Sequence, residues 1–367
     1  MSKIKKFKIL TAFFKYDYGI KERGYSLEYN KFYPAIAQIV SDVYPFWIEE
    51  NGYPENIKQI QKSLIEHTDN VKPDIIFFVL MSNEITIDTI KYLSKKSITI
   101  NWFADDQWRF NSFTALLAPV LTFSVTVDKY SLIKYEEIGC KNVILSQWAA
   151  SSYAAQNKVL KKEYLYDISF VGQKNEIREW IISELESSGL KIECFGHGWP
   201  NGKVSFESME EIFLKSKINL NLSNSFSYDI RYIKFLIKNI KNSSSSNSIK
   251  QIVKKFIYPY RILKLIYHFL FGAITEEKII EQIKARNFEI PAAGGFQITN
   301  YVLGIEDYYQ IGKEIAVYNN IDDLKLLINY FLSNDKEREK IKYQGHLKSA
   351  DYTYDKLIQK VLNKIKI

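Results

Sequence analysis

Cysteine and histidine, the residues that most often bind transition metals, are scarce in this sequence. The chain has two cysteines, Cys140 and Cys194, and four histidines in 367 residues. The cysteines lie far apart in sequence, and no histidine has a partner at the spacing of a zinc site. We therefore expect no metal centre, and the lack of a cysteine framework predicts free thiols in a reducing, cytoplasmic setting.

Long apolar runs and targeting segments are also missing. The longest apolar runs, such as Asp74–Met81, have the length of a strand and are too short to cross a bilayer. No signal peptide precedes the first strand-like run, which begins at Phe7. These features predict a soluble cytoplasmic protein, and a chain of 367 residues predicts about two domains.

Three familiar nucleotide-binding signatures are incomplete. Gly19–Ser26 (GIKERGYS) has the glycine spacing of a phosphate loop but lacks its lysine, which argues against NTP hydrolysis. Gly196–Asn201 (GHGWPN) begins like a dinucleotide fingerprint but has Asn201 at the third glycine, so NAD binding is not expected. No Asp-x-Asp occurs, so the usual metal anchor of single-sheet nucleotide-sugar enzymes is missing.

Positive charge, in contrast, is concentrated in one segment. The net charge is +8, and residues 228–272 hold nine Lys or Arg against one acid, which accounts for all of it. On a helix, five residues of the second half of this segment would fall within an arc of about 80 degrees, with apolar side chains around the rest; they are Lys250, Lys254, Arg261, Lys264 and His268. The candidates for membrane contact are Lys250, Lys254, Arg261 and Lys264.

A basic amphipathic segment rich in Tyr and Phe is typical of an interfacial contact with an anionic membrane. We therefore expect a peripheral position at the inner face of the cell membrane. The alternatives are a helical insertion packed on its own domain or an oligomer contact, and Pro259 would break or kink the helix. Nucleic-acid binding is not expected, because the segment has no recognised module and no stacking platform.

Short apolar runs alternate with amphipathic stretches, which predicts two doubly wound parallel sheets with helices on both faces. We expect an N-terminal domain of residues 1–152 and a C-terminal domain of residues 153–350 with an insertion at 228–273. A helix at 351–367 is expected to pack back on the N-terminal domain. The predicted strands are 7–13, 43–48, 74–81, 97–103, 120–126, 142–147, 166–172, 190–196, 216–223, 294–299 and 313–318.

The stretch Glu281–Gly295 (EQIKARNFEIPAAGG) has the composition of an anion site. We predict a helix over 278–286, then a short helix with Glu289 near its start and Pro291 in its first turn, ended by Gly294 and Gly295. A helix start with Arg286 beside it suits a diphosphate, and a carboxylate suits ribose or sugar hydroxyls. Alternatively, Glu289 only stabilises the helix dipole. Later helices are predicted to break near Asn334 and Gly345.

Six segments form a further pattern along the chain: RGYSLEYNKFYPAI, INWFADD, ISFVGQKNEIREWIISEL, IECFGHGW, KINLNLS and the stretch from IKARNFEIPAAGG to the end of KIKYQG. Together they resemble a family of glycosyltransferases that includes the CgeB-like spore-maturation proteins. The resemblance implies a GT-B architecture, with two Rossmann-like domains and an interdomain cleft. It further implies that the C-terminal domain holds a UDP- or GDP-linked sugar as donor substrate, with no metal and no other cofactor.

The resemblance also implies roles for individual residues of the C-terminal domain. Glu281 and Glu289 match a pair of donor-binding glutamates separated by seven residues, although the insertion ends just before Glu281. Arg286 is expected to contact phosphate and to offset the charge of the leaving diphosphate. The other expected donor contacts are Gly172, Arg178, Gly196, His197, Trp199, Gly294 and Gly295, and the two aromatic residues could instead serve packing.

The acceptor is expected on the N-terminal side. Asp105 and Asp106 follow the fourth predicted strand; one would cap the next helix and the other would contact the acceptor or take up its proton. The sequence does not determine which of the two aspartates has which role. Arg23, Tyr25 and Glu28 are further acceptor-side candidates in the first strand-to-helix region.

Together these features predict an enzyme that transfers a sugar to a hydroxyl of a glycan or lipid-linked acceptor. Such a reaction would serve polysaccharide biosynthesis, and the paired glutamates weakly favour retention of anomeric configuration. The alternative is a protein of the same fold that only binds nucleotide sugars or glycans, or that assembles a surface coat, because a fold does not determine an activity.

Overall fold

Two parallel sheets form the chain, as predicted. The computed structural model describes residues 7–152, 154, 163–225, 227, 229–243, 260, 263 and 281–365. Six strands make the first sheet, in the order β2-β1-β3-β4-β5-β6. These strands are β1 (Lys8–Phe13), β2 (Asp42–Trp47), β3 (Ile75–Phe78), β4 (Ile98–Phe103), β5 (Phe123–Thr126) and β6 (Val143–Leu145).

The second sheet has five strands, in the order β11-β10-β9-β7-β8. They are β7 (Tyr166–Val171), β8 (Glu193–Phe195), β9 (Ser216–Asn221), β10 (Gln297–Asn300) and β11 (Ala316–Tyr318). All pairings in both sheets are parallel. Both sheets therefore direct the carboxyl ends of their strands to one edge, where ligands of such folds bind.

Helices connect and cover the strands. In the first domain they are α1 (Tyr33–Ile39), α2 (Ile57–Val71), α3 (Ile87–Leu93), α4 (Asp106–Arg109), α5 (Ala115–Leu117) and α6 (Leu132–Glu137), with a π-helical turn at Glu28–Phe32 before α1. In the second they are α7 (Glu176–Ser187), α8 (Phe206–Leu214), α9 (Ile230–Ser243), α10 (Arg286–Ala292), α11 (Ile321–Ser333) and α12 (Asp335–Ser349), and α13 (Tyr354–Lys364) follows.

Most strand residues are buried because helices cover both faces of each sheet. All four residues of β3, for example, are buried. The predicted strands overran the observed ones by one to three residues at several ends.

The C-terminal helix α13 packs against the first domain. The rings of Tyr354 and Phe32 lie 4.9 Å apart between centroids. Thr353 pairs with Ala150 in an isolated parallel bridge. A single hydrophobic cluster contains α13, the first sheet and residues of the second domain such as Phe288 and Ile305. The two domains therefore share a buried contact beside the cleft.

Two local predictions were wrong. Residues 281–284 do not form a helix, because Glu281 accepts hydrogen bonds from Ser223 and Asn224 and the N–H of Lys284 donates to the Asn287 side chain. The short helix therefore begins at Arg286, and Pro291 lies beyond its first turn.

The helix break predicted at Gly345 is also absent, since α12 continues through Gly345 to Ser349. A Cβ at Gly345 would stand 2.3 Å from the carbonyl oxygen of Glu314. The glycine therefore lets α12 lie close to the carbonyl of Glu314 and does not end the helix.

The basic segment is described only in part. Lys250, Lys254, Arg261 and Lys264 lie outside the described residues, so the structure leaves their predicted role untested. Helix α9, at the start of the segment, packs Tyr232 and Leu236 into the core, and its Arg231 pairs with Asp229 and Asp322. Within the described residues, no helix is both long and apolar enough to span a bilayer.

Candidate functional site

The candidate site lies at the carboxyl ends of β7 and β9. These neighbouring strands sit where the chain changes direction across the second sheet, with β8 on one side and β10 on the other. In doubly wound sheets this point is the usual ligand crevice. The loops that leave the two strands begin at Gly172 and Leu222.

Three cationic side chains meet at this point, and each donates a hydrogen bond to a backbone carbonyl. Arg178 Nη1 donates to Gln173 O at 2.8 Å, Lys284 Nζ donates to Leu222 O at 3.2 Å, and Arg286 Nε donates to Val171 O at 3.2 Å. Burial lowers the pKa of Arg178 to about 10, against the opposing influence of Glu281. Three cations at one point, of which two are also paired with glutamates, keep an excess of positive charge that favours an anionic ligand.

Two glutamates accompany these cations. Glu289 is 4% exposed and forms an ion pair with Arg286. Glu281 lies 3.0 Å from Lys284 Nζ and accepts hydrogen bonds from Ser223 Oγ at 2.6 Å and Asn224 N at 2.9 Å. Each glutamate thus has a cation three residues away. Glu281 is tied to the loop after β9, and Glu289 is tied through Arg286 to the end of β7.

The end of helix α10 explains the double glycine. The N–H of Gly294 donates to Pro291 O and that of Gly295 to Ile290 O, both at 2.9 Å. With Gly294 at φ 76°, this is a Schellman ending, which a residue with a side chain disfavours. A Cβ at Gly295 would stand 2.7 Å from Asn219 Nδ2. The two glycines position α10 against β9.

Two further glycines allow the first two loops of the second domain to approach each other. A Cβ at Gly196 would stand 2.2 Å from Gly172 O, and the φ of Gly196 is 127°. Trp199 Nε1 donates to the same Gly172 oxygen at 3.0 Å, and its ring packs edge-on against Phe170. Trp199 therefore packs on both loops and fixes them.

A cavity of about 410 Å³ opens between the two domains beside these loops. From the second domain it is lined by predicted donor contacts, namely Gly172, Gly196, His197 and Arg286. From the first domain it is lined by Arg23 and Tyr25, which were predicted to face the acceptor. The structure thus brings donor-side and acceptor-side candidates to one cavity.

Two carboxylates of the first domain, Glu28 and Glu84, are buried. Glu28 is 4% exposed, and burial raises its pKa to about 7, while a hydrogen bond with Ser26 opposes the shift. The negative charges of Asp17 and Glu84 raise it further. Glu84 is fully buried and accepts hydrogen bonds from the N–H groups of Met81 and Ser82. A protonated Glu28 at neutral pH can donate as well as accept a hydrogen bond.

The two adjacent aspartates have different surroundings. Asp105 is half-buried at the N-cap position of α4, makes no capping bond, and accepts from Gln282 Nε2 at 2.6 Å across the domain interface. Asp106 is fully buried and accepts from the hydroxyls of Thr114, Thr126 and Tyr135 at 2.6, 2.5 and 2.8 Å. Burial raises its pKa.

The catalytic role predicted for Asp106 therefore does not fit its position, because protein hydroxyls occupy both carboxylate oxygens inside the first domain. Only Asp105 of the pair reaches the interface. Sequence reasoning also missed Lys284 and Gln282. Their only signal was their place between the two glutamates, and their partners Leu222 and Asp105 are remote in sequence.

Comparison with known proteins adds the family context. A family described as glycosyl transferase-like matches residues 244–363, which is less than half of the chain. A glycosyltransferase from Rickettsia africae ESF-5 is similar in structure over 98% of both chains, with a TM-score of 0.60 and 11% identity. The fold is GT-B.

Two further structures share this GT-B fold. Anabaena HepE in complex with UDP and glucose is similar over 98% of this chain and 100% of its own, with a TM-score of 0.57 and 8% identity. A mutant of S. aureus TarM in complex with fondaparinux, alpha-GlcNAc-glycerol and UDP is similar over 83% of this chain and 58% of its own, with a TM-score of 0.52 and 9% identity. A search of curated proteins gives no significant match.

Proposed function

We propose that this protein is a glycosyltransferase that moves a sugar from a UDP- or GDP-linked donor to a hydroxyl of a glycan or lipid-linked acceptor. One observation carries the proposal: Arg178, Lys284 and Arg286 converge with Glu281 and Glu289 at the switch point of the second sheet. The glycosyl transferase-like match and the UDP-bound GT-B neighbours support it. The narrower CgeB-like resemblance belongs to the same proposal.

In the proposed reaction the cations act on the leaving diphosphate. Breaking the bond between the sugar and the diphosphate leaves negative charge on phosphate oxygens. Guanidinium and ammonium groups already held by carbonyls stabilise that charge without rearrangement. In this proposal the reaction needs no metal ion. Glu289, beside Arg286, would accept hydrogen bonds from ribose hydroxyls.

The acceptor would approach from the edge of the first domain. Asp105 and Glu28 are the groups there with carboxyl oxygens suited to a sugar hydroxyl. Asp105 is tied to Gln282, next to Glu281, so an acceptor beside Asp105 would lie close to the donor end of the site. The paired glutamates favour a retaining transfer.

Binding calorimetry tests the donor site. UDP, GDP, CMP and dTDP sugars are titrated into the parent protein and into Arg286→Ala and Glu289→Ala. Glu207→Ala, an exposed glutamate on α8, is the matched control. We expect at least one donor to bind the parent and the control equally and the two site variants more weakly. Binding of no donor, or equal binding by all four proteins, would refute the proposed site.

A further inference from the structure

One wall of the interdomain cavity comes from a loop of the first domain. This loop runs between Tyr16 and Tyr25, which pair in an antiparallel bridge and stack their rings 5.5 Å apart. Gly19 and Gly24 take φ values of 72° and 75°, which close the loop tightly. Its side chains Asp17, Glu22 and Arg23 line the cavity, as does Tyr25 at its end. These contacts therefore give the loop a defined conformation that places Arg23 at the cavity.

Arg23 is placed to bind an anion there. Its guanidinium lies over the ring of Tyr18, 5.2 Å from the centroid, which leaves the planar fork of N–H donors at its edge available. Among the described residues, Arg23 forms no ion pair within 4.0 Å. A planar guanidinium matches two oxygens of a phosphate group.

Lys203 reaches the same place from the second domain. It lines the cavity, and a Cβ at Gly24 would stand 3.6 Å from its Nζ, so the lysine crosses the cavity mouth to the loop. Three cations, Arg23, Lys203 and Arg286, therefore face one cavity from two domains, against the carboxylates of Asp17 and Glu22. Asp17 lies close enough to Lys203 and Arg23 for both cations to oppose the rise that burial causes in the pKa of its carboxyl, so this carboxylate holds the two cations at one wall of the cavity.

Arg286 connects this cavity to the cation cluster. It lines the cavity and also donates to Val171 O at the switch point. A diphosphate beside Arg286 would thus lie next to the loop of the first domain. Charged side chains that bind one ligand from both domains would also hold those domains together around it.

We propose that Arg23 and Lys203 bind phosphate oxygens of the nucleoside diphosphate donor, so that the loop of residues 17–24 belongs to the donor site. This inference rests on the proposed function. It moves Arg23 from the acceptor side, where the sequence placed it, to the donor side. Arg23 contributes charge-assisted hydrogen bonds to phosphate, and Lys203 contributes a single positive charge.

Calorimetry with a nucleoside diphosphate and its nucleoside tests the inference. The probe is whichever of UDP and GDP binds the parent more tightly, together with uridine or guanosine. The variants are Arg23→Gln, Arg23→Lys and Lys203→Gln, and the control is Lys21→Gln, which changes the same loop outside the cavity lining. We expect Arg23→Gln and Lys203→Gln to weaken diphosphate binding by about tenfold each. Arg23→Lys should fall between the parent and Arg23→Gln.

Nucleoside binding distinguishes phosphate contact from a general effect. The nucleoside should bind the parent and all four variants with equal affinity, and Lys21→Gln should bind the diphosphate like the parent. Equal diphosphate binding by the parent, Arg23→Gln and Lys203→Gln would overturn this inference and leave the proposed function standing. An equal loss of diphosphate and nucleoside binding would also overturn it. If the parent binds neither diphosphate, the proposed function fails as well.

Discussion

Arg286 and Glu289 form an ion pair within the first turn of helix α10, while Arg286 also donates to the carbonyl of Val171 at the end of β7. The pair therefore connects a helix start to the switch point of the sheet. Glu289 keeps the guanidinium in place, and the guanidinium neutralises a carboxylate that is 4% exposed.

Glu289→Gln should weaken donor binding even though the variant keeps the shape of the side chain. The neutral amide no longer fixes Arg286 and accepts weaker hydrogen bonds from a ribose, so we expect a loss of roughly 1.5 to 3 kcal/mol of binding free energy. Calorimetry with UDP or GDP measures it. Glu207→Gln, at an exposed position on α8, should bind like the parent, and a parallel loss in that control would contradict the prediction.

Asp106→Asn should lower stability and leave activity unchanged, whereas Asp105→Asn should lower activity and leave stability unchanged. Asp106 accepts three hydroxyl hydrogen bonds in the core, so its amide variant should lose roughly 2 to 4 kcal/mol of unfolding free energy. Asp105 is half-buried at the interface, so its variant should keep its stability. Urea denaturation measures both.

Transfer activity completes the comparison of the two aspartates. At saturating donor, Asp105→Asn should lower the rate, whereas Asp106→Asn, assayed where it stays folded, should keep it. A stable, inactive Asp106→Asn would show that the acceptor assignment is wrong.

Glu28→Gln should change how stability depends on pH. The pKa of Glu28 is raised from 4.5 to about 7 in the folded protein, so the folded state binds more protons than the unfolded state between these values. Stability from this group therefore falls as pH rises through that window, by roughly 3 kcal/mol in total. Relative to the parent, Glu28→Gln should gain stability from pH 5 to pH 8.

Urea denaturation at the two pH values measures this difference. Glu22→Gln, on the exposed part of the nearby loop, serves as the control and should follow the parent at both pH values. An equal change in the free energy of unfolding between the two pH values, in the parent and in Glu28→Gln, would contradict the prediction.

Gly295→Ala should destabilise the second domain more than a glycine substitution in open space. A methyl group at Gly295 would meet Asn219 Nδ2 at 2.7 Å and Phe213 O at 2.9 Å. We expect a loss of roughly 2 to 4 kcal/mol from overpacking and backbone shifts. Gly189→Ala, at φ 87° with nothing within 4 Å, should lose only about 1 kcal/mol. Thermal unfolding compares the two, and equal losses would refute the close-packing argument.

The basic segment is best tested by removing its positive charges. Deleting the segment would damage the fold, because its helix α9 contributes Tyr232 and Leu236 to the core. Changing Lys250, Lys254, Arg261 and Lys264 to Gln should reduce binding to vesicles that contain anionic lipid, since each basic residue near such a surface contributes about 1 kcal/mol. Vesicle sedimentation measures this. The exposed lysines Lys58, Lys62, Lys91 and Lys313 changed to Gln form the control, and equal binding by both variants would contradict a membrane role.

Much of the architecture follows from local pattern. Every predicted strand forms, because runs such as Ile75–Phe78 are apolar on both faces and only a covered parallel sheet satisfies them. The helix end at Gly294 was also predicted from the sequence, because glycine is favoured where a helix ends in a positive φ, which here is 76°. These features depend on residues close together in sequence, which is where pattern carries most information.

The site was harder to predict because its residues form hydrogen bonds with partners that are far away in the sequence. Asp105 and Asp106 are equivalent in sequence, and only Thr114, Thr126 and Tyr135 show which one is buried. Residues 281–284 have helical composition, yet hydrogen bonds from Ser223 and Asn224 to Glu281 hold them in another conformation. Arg23 lines the interdomain cavity because the loop that carries it lies against Lys203 of the second domain.

Turnover of the donor tests the central claim most directly. The parent protein is incubated with the nucleotide sugar that it binds most tightly, and release of the nucleoside diphosphate is followed over time, with Arg286→Ala and the Glu207→Ala control beside it. We predict release by the parent and the control, and a rate lower by about a hundredfold in Arg286→Ala. Tight binding of the sugar nucleotide without release, with or without glycan acceptors, would contradict an enzymatic role and identify a binding protein on the same fold.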